Sequence, residues 1–278
     1  MGTKTNYQRA QRKYDRAKAI LKPIFVPFRH SIVIKGLENI LESGPNLIVA
    51  NHPGIGRDVA GVCLTYRRRL YFLAAHYLFD ESELLLKHVK PALGEVLFRV
   101  LYPIARKFAS YLSRQMQELE MIPINKEYQN DRRKLVTNLR EALNKVKEFL
   151  IKGRAVVIFP IRYNLLNTIG RKSIVSREPS KYNPYMPQLS STIAKIIFEL
   201  WREHGLNIPV TPIAIARAEG LNPFRRMRVN IGAPLTIQEC LAKCQNVNPV
   251  TYFTDLLERY MSELLAFTSP DIAEVHSK

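Results

Sequence analysis

No run of 18 or more apolar residues occurs in the chain, and a membrane-crossing helix needs about that length. A transmembrane span is therefore not expected. Cysteine is scarce as well: there are three, Cys63, Cys240 and Cys244, with no C-x-x-C pair among them. That excludes a disulfide framework and points to a reducing, cytoplasmic environment. Cys240 and Cys244 are spaced to share a helix face but have no histidine pair nearby, so core packing is expected there rather than a metal centre. No apolar secretory core marks the N-terminus. The opening MGTKTN is superficially like a myristoylation signal, but Asn6 stands where Ser or Thr is required.

Negative charge is the other shortage. Asp and Glu number 24 against 42 Lys and Arg, a net charge of +18. Such an excess calls for an anionic partner: nucleic acid, an anionic membrane surface, or phosphorylated substrates and carriers. RRRLYF and FRRMR interleave arginine with apolar residues, yet no helix-turn-helix, zinc or RNA-recognition signature accompanies them. Nucleic acid is accordingly not expected. What the chain has in quantity is apolar residues, 46% of 278, enough for one substantial core.

The patterning divides the chain into a basic amphipathic segment, residues 1–28, and an α/β domain, residues 29–278. In the first, Tyr7, Ala10, Tyr14, Ala17 and Leu21 recur at helical spacing among Lys and Arg, up to Lys22-Pro23. That helix either lies in a membrane interface or packs on the domain. Beyond it, SIVIKG, NLIVAN, RRRLYFLAAHYLF, MIPIN, RAVVIFP, IPVTPIAIA and MRVNIG read as strands. DVAGVCLTY, much of 83–119, 131–150, QLSSTIAKIIFELWREHG and TYFTDLLERYMSELLAF read as helices, with breaks expected near residues 91–94 and at Pro103. Residues 161–187 read as a long basic loop. Strands alternating with helices predict an α/β fold with a mainly parallel central sheet flanked by helices.

The stretch LIVANHPGIGRD, residues 47–58, places a histidine and an aspartate just past a buried strand. Asn, Pro, Gly and Asp are turn residues, so a plain turn is one reading. Asp58 also suits a helix N-cap, since DVAGVCLTY follows directly. The other histidines, His76 among them, read as structural or solvated.

In order and content, roughly residues 31–240 resemble the phospholipid/glycerol acyltransferase family, of the 1-acylglycerol-3-phosphate acyltransferase type. VIKGLENILESGPNLIVANHPG is similar to the approach to that family's His-Asp block. MIPINK resembles its second block, with Lys126 where an arginine is usual. AVVIFP resembles the start of its third, IPVTPIAIA its fourth strand, and VNIGAPL the Gly-x-Pro turn after it.

The resemblance implies a glycerolipid acyltransferase-like fold and transfer of a fatty acyl group from acyl-CoA or acyl carrier protein. The acceptor would be a hydroxyl of a lysophospholipid or glycerol phosphate. It implies His52 as general base and Asp58 as the carboxylate that orients it, the substrate supplying the hydroxyl. Imidazole suits that role because its ordinary pKa lies near neutrality. Asn51, Gly54, Gly56, Arg57, Lys126, Pro160 and Arg162 would contact substrate, and the turn from Pro53 to Gly56 would face the oxyanion. No metal or other cofactor is implied. The expected setting is peripheral, on the cytoplasmic face of an anionic membrane, in phospholipid biosynthesis.

Two departures stand out. Five residues, Pro53 to Arg57, separate His52 from Asp58, one more than in the family's block, and Gly54 and Gly56 give the turn freedom to absorb it. After Phe159-Pro160 come Ile161, Arg162, Tyr163 and Asn164, where the family has Glu-Gly-Thr-Arg. The alternative reading is therefore a catalytically impaired lipid-binding relative with the same fold.

Overall fold

A strand buried on both faces cannot alternate polar and apolar residues; it must be apolar throughout. Asn46–Ala50, Ala155–Ile158 and Val210–Ala216 have that composition but for Asn46 and Thr211, where the Thr211 hydroxyl donates to the Asn46 Oδ1 at 3.0 Å, and every residue in them is buried. They form the centre of the fold in the computed structural model, which describes residues 11–16, 18–19, 32–51, 57–124, 132–159, 180–183, 186, 188–216, 227–244 and 247–266.

In chain order the strands are β1 (Ile32–Lys35), β2 (Asn46–Ala50), β3 (Leu70–Ala75), β4 (Ile122–Ile124), β5 (Ala155–Ile158), β6 (Val210–Ala216) and β7 (Met227–Ile231). The principal helices are α1 (Arg57–Thr65), α2 (Glu95–Glu118), α3 (Arg132–Ile151), α4 (Thr192–His204), α5 (Ile237–Leu241) and α6 (Pro249–Ala266). The fold class is α/β with a mainly parallel sheet. Two compact units divide the chain: Met1–Ala17 with Tyr71–Val146, and Lys18–Leu70 with Lys147–Lys278.

In the second unit the strand order is β1-β7-β6-β2-β5. β2 pairs in parallel with β5 (Val49 opposite Ile158) and with β6 (Ala50 opposite Ile213). β1 pairs in parallel with β7, whereas β7 runs antiparallel to β6. β7 reads MRVNI with alternating burial, and its two faces meet different helices. Met227 and Val229 lie under Gly61 of α1; Asn230, one residue out of phase, donates to the Leu264 carbonyl of α6 at 3.1 Å. Successive strand residues point to opposite faces, so helices cover the sheet on both sides. On α6, Phe253, Leu257, Met261, Leu264 and Leu265 are buried, and on α4, Ile193, Ile196, Ile197 and Leu200. Each such side chain contributes about 1.5–3 kcal/mol on burial.

Pro212 sits inside β6, where a missing N–H would normally break a ladder. The hydrogen bonds show why it is tolerated. Leu47 and Asn51 donate to the carbonyls of Pro209 and Ile213, so odd-numbered residues of β6 face β2. Pro212 faces the other way, beyond the end of β7, where its carbonyl accepts from Gly232 at 2.9 Å.

A glycine turn and an arginine side chain hold the strand connections. Gly36 follows β1 with φ +78° and opens a 3-10 turn, Leu37–Asn39, and the Asn39 amide donates to the Ile231 carbonyl at 2.9 Å. A Cβ on Gly36 would meet the Ile231 carbonyl oxygen at 2.0 Å, so the turn requires glycine. At the amino ends of the strands, the Arg68 guanidinium donates to the carbonyls of Gly44 (2.7 Å), Gly153 (3.2 Å) and Leu41 (3.3 Å). It ties the entry of β2 to the entry of β5.

In the other unit β3 and β4 pair in parallel, Leu73 opposite Ile122. His76–Phe79, expected as a continuation of the strand, is a 3-10 turn. Short helical turns follow, with a π turn at Leu85–Val89, and Gly94 at φ 76° separates them from α2. Leu84 and Leu85 pack with Phe98, Ala105 and Ala109 of α2, joined by Tyr77, Leu78, Val89, Leu93 and Leu112. The break expected at Pro103 does not occur: α2 runs unbroken through it. Pro103 falls on the exposed side, and the packed residues around it hold the helix together.

Candidate active site

In a parallel sheet the carboxyl ends of neighbouring strands share one edge, and ligands of open α/β sheets bind there. β2 ends at Ala50 opposite Ile213 of β6, and Val49 lies opposite Ile158, the last residue of β5. The chain passes from β2 through Asn51 into His52, and from β5 through Phe159 into Pro160 and Arg162. Two sequence blocks about a hundred residues apart thus leave the sheet side by side.

Asn51 is 6% exposed, and its side chain has a definite task. Its Oδ1 accepts from the Ile215 N–H at 2.6 Å, and its Nδ2 donates to the Ile215 carbonyl at 2.8 Å. The carboxamide copies a peptide group and extends the β2–β6 ladder one step past the strand. This fixes the point from which the chain departs into His52. The sequence resemblance assigned Asn51 to substrate; its amide is engaged with β6.

Asp58 lies within the first turn of α1, one residue after the helix start at Arg57. An acidic side chain is favourable there, against the positive end of the helix dipole. One carboxylate oxygen accepts from the Val59 N–H at 2.9 Å, so Asp58 serves the helix start from inside the helix. It is also 0% exposed. The cause is its place on a stripe with Gly61, Val62 and Thr65, all buried and spaced to share one helix face. Gly61 lets that face approach closely: a Cβ there would lie 2.6 Å from the Met227 Cε and 3.5 Å from the Val229 Cγ2. Burial of a carboxylate is costly unless hydrogen bonds or charge offset it, and the Val59 N–H and the helix start are two such offsets.

His52, Gly54, Gly56, Lys126, Pro160 and Arg162 lie outside the described residues, as does the side chain of Arg57. Of the sequence-predicted set, Asn51 and Asp58 are therefore the two whose side chains are placed. Lys126 follows β4 in the chain, in the other unit.

A feature missed in sequence lies on α6. Glu258 is buried; one oxygen accepts from the Ser180 hydroxyl at 2.6 Å and the other from the Leu189 N–H at 3.1 Å. Nearby, Asp255 accepts from the Tyr182 hydroxyl at 2.5 Å and pairs with Lys181. Ser180, Lys181 and Tyr182 are thereby pinned to α6. Burial pushes the Cys240 thiol up to about 11, which keeps it protonated as a packing residue. Among the described residues no group of three or more His, Cys, Asp or Glu could hold a metal ion, and no helix is long and apolar enough to cross a membrane.

The geometry defines an α/β protein with a mainly parallel sheet and a buried carboxylate in the first turn of the helix that follows β2. No family model matches the chain, and no curated protein matches it. Among solved structures it is similar to the crystal structure of the 1-acyl-sn-glycerophosphate (LPA) acyltransferase PlsC from Thermotoga maritima. The identity is 16%, the TM-score 0.47, and the match covers 91% of this chain and 79% of that one.

Proposed function

We propose that the chain is a glycerolipid acyltransferase working at an anionic membrane surface, on the cytoplasmic side. The observation that carries this reading is Asp58: a fully buried carboxylate at the start of α1, the helix that follows β2, in the same sequence block as His52. The order of the sequence blocks supplies the chemistry. His52 takes the proton from a hydroxyl of a lysophospholipid or glycerol phosphate, and Asp58 stabilises the imidazolium. The oxygen attacks the carbonyl of a thioester, acyl-CoA or acyl carrier protein. Collapse of the tetrahedral intermediate expels the thiolate, which takes back the proton. An ester forms, a thioester breaks, and no redox partner or metal is required. The net charge of +18 suits a phosphate-bearing acceptor, an acidic carrier and anionic lipid alike.

The replacement of the family's Glu-Gly-Thr-Arg by Ile161 to Asn164 favours a second reading, a lipid-binding relative without turnover. One experiment separates them. Purified protein is incubated with lysophosphatidate and labelled acyl-CoA or acyl carrier protein, beside His52→Ala and Asp58→Asn. Product from the wild type, lost in His52→Ala and reduced by about 100-fold or more in Asp58→Asn, supports acyl transfer. No product with either donor, from protein that still binds acyl chains, supports the second reading. Equal product from wild type and His52→Ala removes the mechanism.

A further inference from the structure

α2 buries one face and leaves a second apolar face in the open. At 3.6 residues per turn, Phe98, Ala105, Ala109 and Ser113 share one side and are buried. Val96, Val100, Ile104 and Phe108, four apart, run along another at 79, 71, 68 and 57% exposure. Leu97 and Tyr111 fall between them and are exposed too. The arc spans roughly 120° of the helix and four of its turns. Isolated exposed apolar residues are ordinary, but a contiguous stripe of this kind marks a contact surface.

Charge selects the partner. Arg99, Arg106, Lys107 and Arg114 are all exposed along α2. The neighbouring acids are already tied to bases: Glu95 to Lys90 at 2.9 Å and Arg99 at 3.3 Å, Glu81 to Arg106 at 3.0 Å, and Glu118 to Lys13 at 3.5 Å. Among the described residues Lys107 and Arg114 form no such pair, and by helical position they fall on the Val96–Val100 edge of the stripe itself. Their aliphatic stems cover apolar surface while their charged heads reach outward. A second copy of this chain would set +18 against +18. An anionic lipid surface meets both features, with acyl chains under the stripe and phosphates at the basic rim.

We propose that the Val96–Val100–Ile104–Phe108 face of α2 inserts into the interface of an anionic bilayer. This deepens the reading above by naming the surface that meets lipid, and it rests on that reading for the membrane as the place of work.

The test uses the full chain with Phe108→Trp, its emission read as a difference from the wild type, which has a single tryptophan. The probes are phosphatidylcholine–phosphatidylglycerol vesicles, the same vesicles with brominated acyl chains, and pure phosphatidylcholine. The introduced indole is expected to shift blue and be quenched by brominated chains in anionic vesicles, and to respond weakly in neutral ones. Val100→Glu, Ile104→Glu and Phe108→Glu together are expected to weaken cosedimentation about tenfold or more. All three sites are exposed, so the circular-dichroism melt should stay at the wild-type midpoint.

Vesicle-bound protein whose indole emission does not change overturns the proposal, as does absence of binding to any vesicle. A concentration-dependent blue shift without lipid also overturns it, in favour of a second copy of the chain. Acyl transfer to monomeric, short-chain lysophosphatidate is measured separately. Failure of docking therefore leaves the chemistry standing, and failure of the chemistry leaves docking intact.

Discussion

Replacing Asn51 by alanine tests whether the carboxyl edge of the sheet is held as described. The substitution removes the acceptor of the Ile215 N–H and the donor to its carbonyl. Ile215 is 0% exposed, so both backbone groups lose their partner in a dry place. A buried polar group left unsatisfied costs about 1–3 kcal/mol, which gives about 2–6 kcal/mol for the two. A water entering the space vacated by the carboxamide would recover part of this, so the lower half of the range, about 2–4 kcal/mol, is expected. Urea unfolding followed by far-UV circular dichroism reads it as a fall of about 1 M in the midpoint at a slope near 3 kcal/mol/M. The transition of the larger unit is the relevant one if the two units melt apart.

Asn51→Asp sharpens the test. A carboxylate still accepts from the Ile215 N–H but meets the Ile215 carbonyl with a negative charge. Its pKa in the folded state is then raised above the unfolded value of about 4. Stability is greatest where the group is protonated in both states and is lost as pH rises through the window between the two values. The aspartate variant should therefore recover on acidification, and the alanine variant should not. A cost for Asn51→Ala within about 0.5 kcal/mol, or an aspartate variant insensitive to pH, would refute the assignment of the amide to Ile215.

Gly36→Ala should cost about 3 kcal/mol or more, or prevent folding, because φ is +78° and the new methyl meets a backbone oxygen at 2.0 Å. Gly61→Ala should cost less by the same denaturation assay, since the obstructing atom is the flexible end of Met227. Arg68→Met removes three hydrogen bonds to partly exposed carbonyls and should lower stability by about 1–3 kcal/mol; a smaller loss on Arg68→Lys would fit the single point charge of lysine. The contact of Lys181 and Tyr182 with Asp255 should depend on pH at both ends. Burial works to raise the Asp255 carboxyl, but hydrogen bonds from Lys181 and Tyr182 outweigh it and hold it below its usual value. Its contribution is present above the unfolded value of about 4 and lost as pH falls through the folded one. The same bond to Asp255 raises Lys181, whose contribution is complete below about 10.4 and lost as pH rises further. NMR shifts of the Tyr182 ring should move at the acidic limit as Asp255 is protonated, and Asp255→Asn should abolish that movement.

The central strands were legible because burial on both faces leaves an unambiguous apolar run, as in NLIVA and AVVI. The antiparallel placement of β7 was not, although its alternating MRVNI pattern already set it apart from its neighbours. α5 carries a readable sign in its capping box, Thr236 with Glu239, two residues whose spacing announces a helix start. The Pro103 break failed because tertiary packing on Phe98, Ala105 and Ala109 outweighs the loss of one backbone bond on the exposed side. At the site, sequence showed which residue types stand past β2, but not their direction. The engagement of Asn51 with Ile215 joins residues 164 apart, and no local pattern encodes that. The burial of Asp58 follows from α1 meeting β7 at Gly61, again a long-range contact. Glu258 was unreadable for the same reason: an acidic residue on an amphipathic helix looks like a solvated one until the segment it holds is seen.

Arg68 binds the amino-terminal entries of β2 and β5, while the candidate chemistry stands at their carboxyl ends. The strands thus work as spacers between an anchoring end and a working end. Loops at the working end can be lengthened, shortened or rewritten without touching the hydrogen bonds that hold the strands in register. This makes the chain a good host for re-engineering: libraries confined to residues beyond Asn51 and Phe159 should yield many folded variants, whereas equally sized libraries around Gly44, Arg68 and Gly153 should yield few.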